Sequence, residues 1–305
     1  MTLAIQTSAL SKSYGSVTAV HSLDLAVEQG TVFGLIGPNG AGKTTTLRML
    51  LDIIRPSSGS ATILGQSPRA GGAAQRRRIG FIPGELRLDG RVKGLALLRH
   101  YADISGPVAP GAIEALAERL NLDLTRPVRA LSKGNRQKLG LIQAFMHRPE
   151  LLVLDEPTSG LDPLIQREFL QMLREARDAG QTVLLSSHVL SEIQQSADQV
   201  AVLAAGRIVA EGDVASLRLH SVRRLRAGIA ESDVATVRDR LSRLEHVRDL
   251  EIFEGATVRV LATVNGDIDE LVKALANFRL TDLTVEEPDL EESVLDLYGR
   301  QEVAS

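Results

Sequence analysis

The chain contains no cysteine, which excludes a disulfide framework, thiolate-held zinc, iron–sulfur clusters and thiol catalysis, and fits a reducing compartment. It has no tryptophan, and aromatic residues make up only 3% of it, so Ala and Leu must fill the interior. No apolar run approaches the roughly 18 uninterrupted residues of a membrane-spanning helix. The opening MTLAIQTSALSKSYG has neither the basic start nor the apolar stretch of a secretion signal. An excess of one charge is lacking too: 35 basic residues against 38 acidic leave a net charge of -3, which calls for no nucleic-acid partner. What is present, 305 residues of which 44% are hydrophobic and 24% charged, is the composition of an ordinary globular protein long enough for two domains.

Short alternating runs, LAIQTSAL and SVTAVHSLDLAV, are separated by the turn-forming SKSYGS and read as antiparallel strands. TVFGLIG (Thr31 to Gly37) reads as a buried strand, and from Lys43 the segment KTTTLRMLLDII turns helical until RPSSGS stops it. Residues from about 85 to 148 read as a helical insert containing KGLALLRHYADI, GAIEALAERLNL and SKGNRQKLGLIQAFM. LLVLDEP (Leu151 to Pro157) and TVLLSS (Thr182 to Ser187) read as strands around the helix PLIQREFLQMLREARDAG, an alternation that predicts a parallel sheet. VAVLAAG and RIVAEG predict a hairpin around Gly206.

Near Leu217 the pattern becomes charge-rich, so a domain boundary is placed there, dividing residues 1–216 from 217–305. Beyond it the order SVRRLRAG, ESDVATVRDRLSRL, VRDLEIF, ATVRVLAT, DIDELVKALANF, LTDLTVEE reads as β-α-β-β-α-β, a ferredoxin-like arrangement. A last helix, DLEESVLDLYG, is expected to fold back.

GPNGAGKTT fits G-x-x-x-x-G-K-[ST] from Gly37 to Thr44, between a strand and a helix as that motif requires. Gly37, Pro38, Asn39, Gly40, Ala41 and Gly42 form the expected phosphate cradle. Its three glycines let backbone N–H groups turn inward, and the helix N-terminus adds partial positive charge. Lys43 is assigned to the β- and γ-phosphates, Thr44 to Mg²⁺ and Thr45 to the α-phosphate. A plain glycine turn with a solvated lysine is the alternative.

LLVLDEP sets two carboxylates at the carboxyl end of a buried strand, where open α/β sheets bind ligands. Asp155 is assigned to hold Mg²⁺ through water, and Glu156 to polarise the water that attacks the γ-phosphate. The pair could instead cap the following turn. His188, at the end of the next strand, is assigned to the γ-phosphate and the attacking water, against the alternative of an ordinary solvated or core histidine. LSKGNRQKLG (Leu131 to Gly140) sets Ser, Gly and Asn among cations, a composition suited to an anion.

With these motifs in this order, the chain resembles the nucleotide-binding subunit of an ATP-binding cassette (ABC) transporter over about residues 3–216. Walker A (Gly37 to Thr45), a signature motif (Leu131 to Asn135), Walker B (Leu151 to Glu156), a D-loop SGLD (Ser159 to Asp162) and the switch His188 carry the resemblance. It implies an α/β P-loop NTPase (RecA-like) core with an antiparallel β subdomain and a helical insert, followed by the α+β ferredoxin-like domain. It implies ATP and Mg²⁺ as cofactors and ATP hydrolysis as the reaction. Tyr14, beside Lys12, corresponds to the aromatic that stacks on adenine, with a turn or core aromatic as the alternative. Ser132 and Gly134 are implied to address the ATP held by a second subunit, with Asp162 at the same composite site.

Two positions depart from the family. Lys133 and Asn135 occupy the third and fifth places of its usual Leu-Ser-Gly-Gly-Gln, and the added cation should not oppose an anion. In IGFIPGELR, Gly84 stands where the family has Gln; either Glu85 substitutes as a metal contact by a one-residue shift, or the contact is missing.

The nearest subgroup is the drug and antibiotic exporters and related ABC-2 type systems, on the strength of SKGNRQKLG, TSGLDP and the appended domain. The implied partners are a separate transmembrane permease and a second nucleotide-binding subunit, as a homodimer. The implied location is peripheral, on the cytoplasmic face of the cell membrane. The C-terminal domain shows no catalytic cluster and reads as a dimerisation or regulatory element. The run Arg76 to Arg78 reads as a solvated face. A non-transport ABC-type ATPase, a regulator or remodelling motor, is the alternative, without the tandem cassettes or long heptad insertions usual in such proteins. A P-loop kinase or GTPase would lack the signature motif, and no Asn-Lys-x-Asp segment is present.

Overall fold

The computed structural model describes residues 2–88, 90–214, 222–230, 234–244, 246–255, 257–265 and 268–286. The chain divides into two compact units, residues 1–212 and 213–305. In the first, β1 (Leu3–Tyr14), β2 (Val17–Leu23) and β3 (Ala26–Glu28) open the chain. Next, β4 (Val32–Ile36) leads through the glycine loop into α1 (Lys43–Leu50), and β5 (Ser58–Ile63) returns to pair with β1. β1 thus pairs antiparallel with β2, β3 and β5.

One local reading is corrected, and β5 is added to the strands read from the sequence. SVTAVHSLDLAV is two strands, because Ser22 takes a φ of +44° and Thr7 Oγ1 bonds both Leu23 O and Leu25 N at 2.8 Å, binding the chain where it breaks. The segment that stops α1 continues directly into β5, whose serines lack apolar alternation and are held by backbone pairing with β1.

After α2 (Pro68–Arg76) come β6 (Ile79–Ile82), then α3 (Gly94–Ser105), α4 (Ala112–Arg119), a short 3₁₀ turn at Val128–Ala130 and α5 (Lys133–Phe145), which make the helical insert. The core resumes with β7 (Leu151–Asp155), α6 (Pro163–Asp178), β8 (Thr182–Ser187), α7 (Leu190–Ser196), β9 (Gln199–Ala204) and β10 (Arg207–Asp213). Their sheet runs β10-β9-β4-β8-β7-β6, parallel from β9 to β6, with β9 and β10 joined at the Ala205–Gly206 turn.

Every residue of β4, β7 and β8 is buried. Both faces of a parallel sheet are covered, which is why these segments read as unbroken apolar runs. On one face Phe33, Leu35, Val153, Leu184 and Leu203 pack with Leu47 and Leu50 of α1 and with Ile5, Leu23 and Val27 of the antiparallel sheet. Each such side chain contributes about 2 kcal/mol.

The second unit contains β11 (Val222–Ile229), α8 (Val234–Leu241), β12 (Val247–Phe253), β13 (Val258–Asn265), α9 (Asp269–Leu275) and β14 (Leu280–Glu286). They form an antiparallel sheet ordered β12-β13-β11-β14, the ferredoxin-like order. Leu225, Ala227, Ile229, Val258, Val260 and Ala262 alternate inward against Val237, Leu241, Leu271 and Leu275. The helix expected at DLEESVLDLYG lies outside the described residues.

Candidate nucleotide site

The sheet order places β4 between strands that come late in the chain, a topological switch point, and the loops after β4, β7 and β8 meet beside it. The loop after β4 leaves no room for a side chain at Gly37 or Gly42. A Cβ on Gly37 would lie 2.3 Å from Leu203 O, and Gly42, which caps α1 at φ +104°, would put one 2.6 Å from Ala19 O. The Ala41–Gly206 contact, with Gly206 N–H donating to Ala41 O at 3.0 Å, braces the loop against the β9–β10 turn. Residues Pro38 to Thr45, with Ala19 and Glu156, enclose a cavity of about 170 Å³. A larger cavity of about 760 Å³ is lined by second-unit residues such as Arg226, Phe253 and Arg259 and includes none of the motif residues. Convergent polar groups, not volume, distinguish the smaller one.

Lys43 is 6% exposed and donates to Gly37 O at 2.5 Å and Pro38 O at 3.3 Å. It is not a solvated lysine. Thr44 Oγ1 donates to Asp155 Oδ2 at 2.8 Å. Asp155 is 1% exposed, and its other oxygen, Oδ1, accepts from Ser186 Oγ at 2.6 Å.

Glu156 adopts a φ of +49°, a left-handed conformation uncommon for a side-chain-bearing residue. Its Oε1 is buried, stands 3.4 Å from Lys43 Nζ and takes no hydrogen bond, while Oε2 lies 2.6 Å from His188 Nδ1. Neither carboxylate caps the following turn; the helix after it, α6, is capped by Asp162, whose Oδ1 accepts from Leu164 N at 3.1 Å and Ile165 N at 3.0 Å. His188 is half-exposed, and its partner is the carboxylate of Glu156.

The signature segment is fastened to the D-loop of its own chain. Ser132 Oγ caps α5 by accepting from Asn135 N at 3.2 Å. Lys133 Nζ donates to Ser159 Oγ at 3.1 Å, Gln137 Nε2 donates to Pro157 O at 2.9 Å, and a Cβ on Gly134 would lie 2.5 Å from Gly160 O. Lys133 is therefore turned to the D-loop. Among the described residues, no hydrogen bond or ion pair joins Ser132, Gly134 or Asp162 to the Gly37–Thr45 loop.

Tyr14 ends β1, is 49% exposed and has Lys12 Nζ 5.0 Å from its ring centroid, so it is no core aromatic. Glu85 is exposed and pairs with Arg87 at 3.2 Å. Backbone, rather than the Glu85 carboxylate, approaches the acid at the end of β7, since a Cβ on Gly84 would lie 3.0 Å from Asp155 Oδ2. Among the described residues no group of three or more His, Cys, Asp or Glu could hold a metal. A hard cation here would draw most of its oxygens from substrate phosphates and water, as Mg²⁺ does.

The ABC transporter family pattern matches residues 20–159. The bacitracin transport ATP-binding protein of Bacillus licheniformis is 33% identical to this chain over 98% of both lengths. The chain belongs to the ABC transporter ATP-binding proteins. It is accordingly an ATP-binding subunit and an ATP hydrolase. The daunorubicin/doxorubicin resistance ATP-binding protein of Streptomyces peucetius is 35% identical to this subunit, over 97% of the subunit and 91% of that protein. A solved ATP-binding subunit of an ABC transporter superposes with a TM-score of 0.66 at 30% identity, covering 71% of this subunit and 92% of that chain.

Of the subunit's motif residues, Lys43, Thr44, Asp155, Glu156 and His188 come together at the glycine loop, and the residues that tie the motifs to one another were missed in the sequence. Gln137 and Ser159 sit inside or beside named motifs without a signal of their own. Ser186 had one: it stands two residues before His188 in a strand otherwise apolar until its last two residues.

Proposed function

We propose that this subunit hydrolyses MgATP between Lys43, Asp155, Glu156 and His188, and that hydrolysis drives export of a substrate through a separate membrane permease. The observation that carries the reading is the buried, unbonded Oε1 of Glu156 beside Lys43 at the mouth of the glycine loop. A carboxylate oxygen in that state accepts a proton from an attacking water, while His188 on Oε2 holds the carboxylate in orientation. Lys43, already lined up by Gly37 O, neutralises phosphate charge. Thr44 and Asp155, joined by their own hydrogen bond, are the residues that would hold Mg²⁺. When bound, the ion neutralises charge developing on the phosphates. Thr45 faces the same cavity and takes the α-phosphate, and Tyr14, exposed at the end of β1, stacks on the base.

Ser132 and Gly134, at the N-terminal turn of α5, address ATP in a second copy of the subunit, with Asp162 alongside. Their lack of bonds to their own glycine loop supports this. Among the described residues no helix is long and apolar enough to cross a membrane, which favours a separate permease and a peripheral position on the cytoplasmic face. The names of the relatives, antibiotic transport and drug resistance, favour export. Residues 1–216 act as the motor and 217–305 as an accessory dimerisation or regulatory domain. Glu85, paired with Arg87, does not replace the family's glutamine, and that metal contact is missing.

Glu156→Gln should lower ATP turnover by about 10²–10⁴-fold while ATP binding persists; unchanged turnover refutes the assignment. A membrane protein should accompany the subunit through purification from a mild detergent extract. Its absence would favour the non-transport alternative.

A further inference from the structure

We propose that Ser186 is a positioning residue of the ATP site, whose buried hydroxyl orients the Asp155 carboxylate and holds the peptide that carries Glu156. The parallel register of β7 and β8 sets Asp155 directly beside Ser186. Ser186 is 0% exposed, and a hydroxyl in such a place is tolerated only if its hydrogen bonds are made. Its Oγ donates to Asp155 Oδ1 at 2.6 Å and accepts from Glu156 N at 3.2 Å. A hydroxyl has one proton and two lone pairs, so both bonds form at once and run in one direction, from the Glu156 peptide through Ser186 to Asp155.

Each bond answers a need of the site. Thr44 holds Oδ2 of Asp155, and with Ser186 on Oδ1 the carboxylate cannot rotate. The left-handed backbone at Glu156 persists only where its surroundings hold it, and its N–H is shared between Ser186 Oγ and Ser186 O, each at 3.2 Å. In the loop after β6, Gly84, which approaches Asp155, has no side chain to assist, and Glu85 turns to Arg87. One hydroxyl therefore couples the metal-holding acid to the catalytic one.

This inference rests on the reading that Thr44 and Asp155 hold Mg²⁺. The test is equilibrium binding of a non-hydrolysable ATP analogue to the full-length protein, with and without Mg²⁺. Ser186→Ala should cut the Mg²⁺-dependent gain in affinity about tenfold or more, the effect of losing a hydrogen bond to a charged group, without lowering Mg²⁺-free affinity. In an Asp155→Asn background, which should already lack the gain, Ser186→Ala should cost nothing further. An intact Mg²⁺ response in Ser186→Ala, or equal losses with and without Mg²⁺, overturns the proposal. If Ser186→Ala does not fold, Ser186→Thr against Ser186→Val makes the same comparison in side chains of matched shape; the proposal requires Thr to keep the response and Val to lose it, and falls if the two behave alike. Asp155→Asn with a full Mg²⁺ response would overturn the metal reading itself. Asp155→Asn without one, beside an unimpaired Ser186→Ala, would overturn the role of Ser186 alone.

Discussion

With Lys43 and Glu156 in the proposed roles, their pairing makes the carboxylate a competitor of ATP for the lysine. The two charges are 3.4 Å apart, with 6% and 19% of the side chains exposed. Coulomb attraction at that distance is roughly 5 kcal/mol at an effective dielectric near 20, most of which desolvation cancels. The net coupling falls between the ~1 kcal/mol of an exposed pair and the 3–5 kcal/mol lost on breaking a buried one.

Glu156→Gln keeps the side-chain shape, removes the competitor and removes a negative charge from the path of the phosphates. Metal-free ATP affinity should therefore rise by about tenfold, or ~1.4 kcal/mol. The assay is ATP titration in EDTA at low protein concentration, where neither hydrolysis nor a trapped closed dimer contributes. In a Lys43→Ala background the same change should yield a smaller gain, because the competition is gone. Unchanged or weaker metal-free affinity in Glu156→Gln would refute the competition.

Two further outcomes follow from how the segments are fastened. Ser132→Arg replaces the cap of α5 with a bulky cation at the face assigned to the second subunit; binding of ATP by the isolated subunit should survive while hydrolysis is lost, and normal turnover would show that Ser132 addresses no partner's phosphate. Truncation after residue 217 should leave ATP affinity unchanged, since the glycine loop, both carboxylates and His188 all belong to the first compact unit; a loss of affinity in a binding titration counts against that boundary.

Elements whose signal is local were legible before any coordinates. TVFGLIG, LLVLDEP and TVLLSS each carry a stretch of adjacent apolar residues (VFGLI, LLVL and VLL) because parallel strands are buried on both faces, and the ferredoxin-like order of the second unit followed from alternating periods. β5 was not legible: its serines have no inward face to reveal, and it exists because β1 offers an unpaired edge. Where Glu85 points was not legible either, since a carboxylate next to the expected position carries no sign of its direction; it pairs with Arg87 two residues on.

By itself the sequence determined which chemistry is available: glycines that admit phosphate, a lysine to meet it, two acids and a histidine at strand ends, and helices to carry a signature motif. Those are properties of short segments, and the chain writes them contiguously. Only the tertiary structure decided how the groups constrain one another: Glu156 on both Lys43 and His188, Ser186 on Asp155, Lys133 on the D-loop, Gly84 against Asp155. The physical reason is register. Strand pairing and the packing of α5 on the loop after β7 bring together residues from distant segments of the chain, and no local pattern records which atom of one will face which atom of the other.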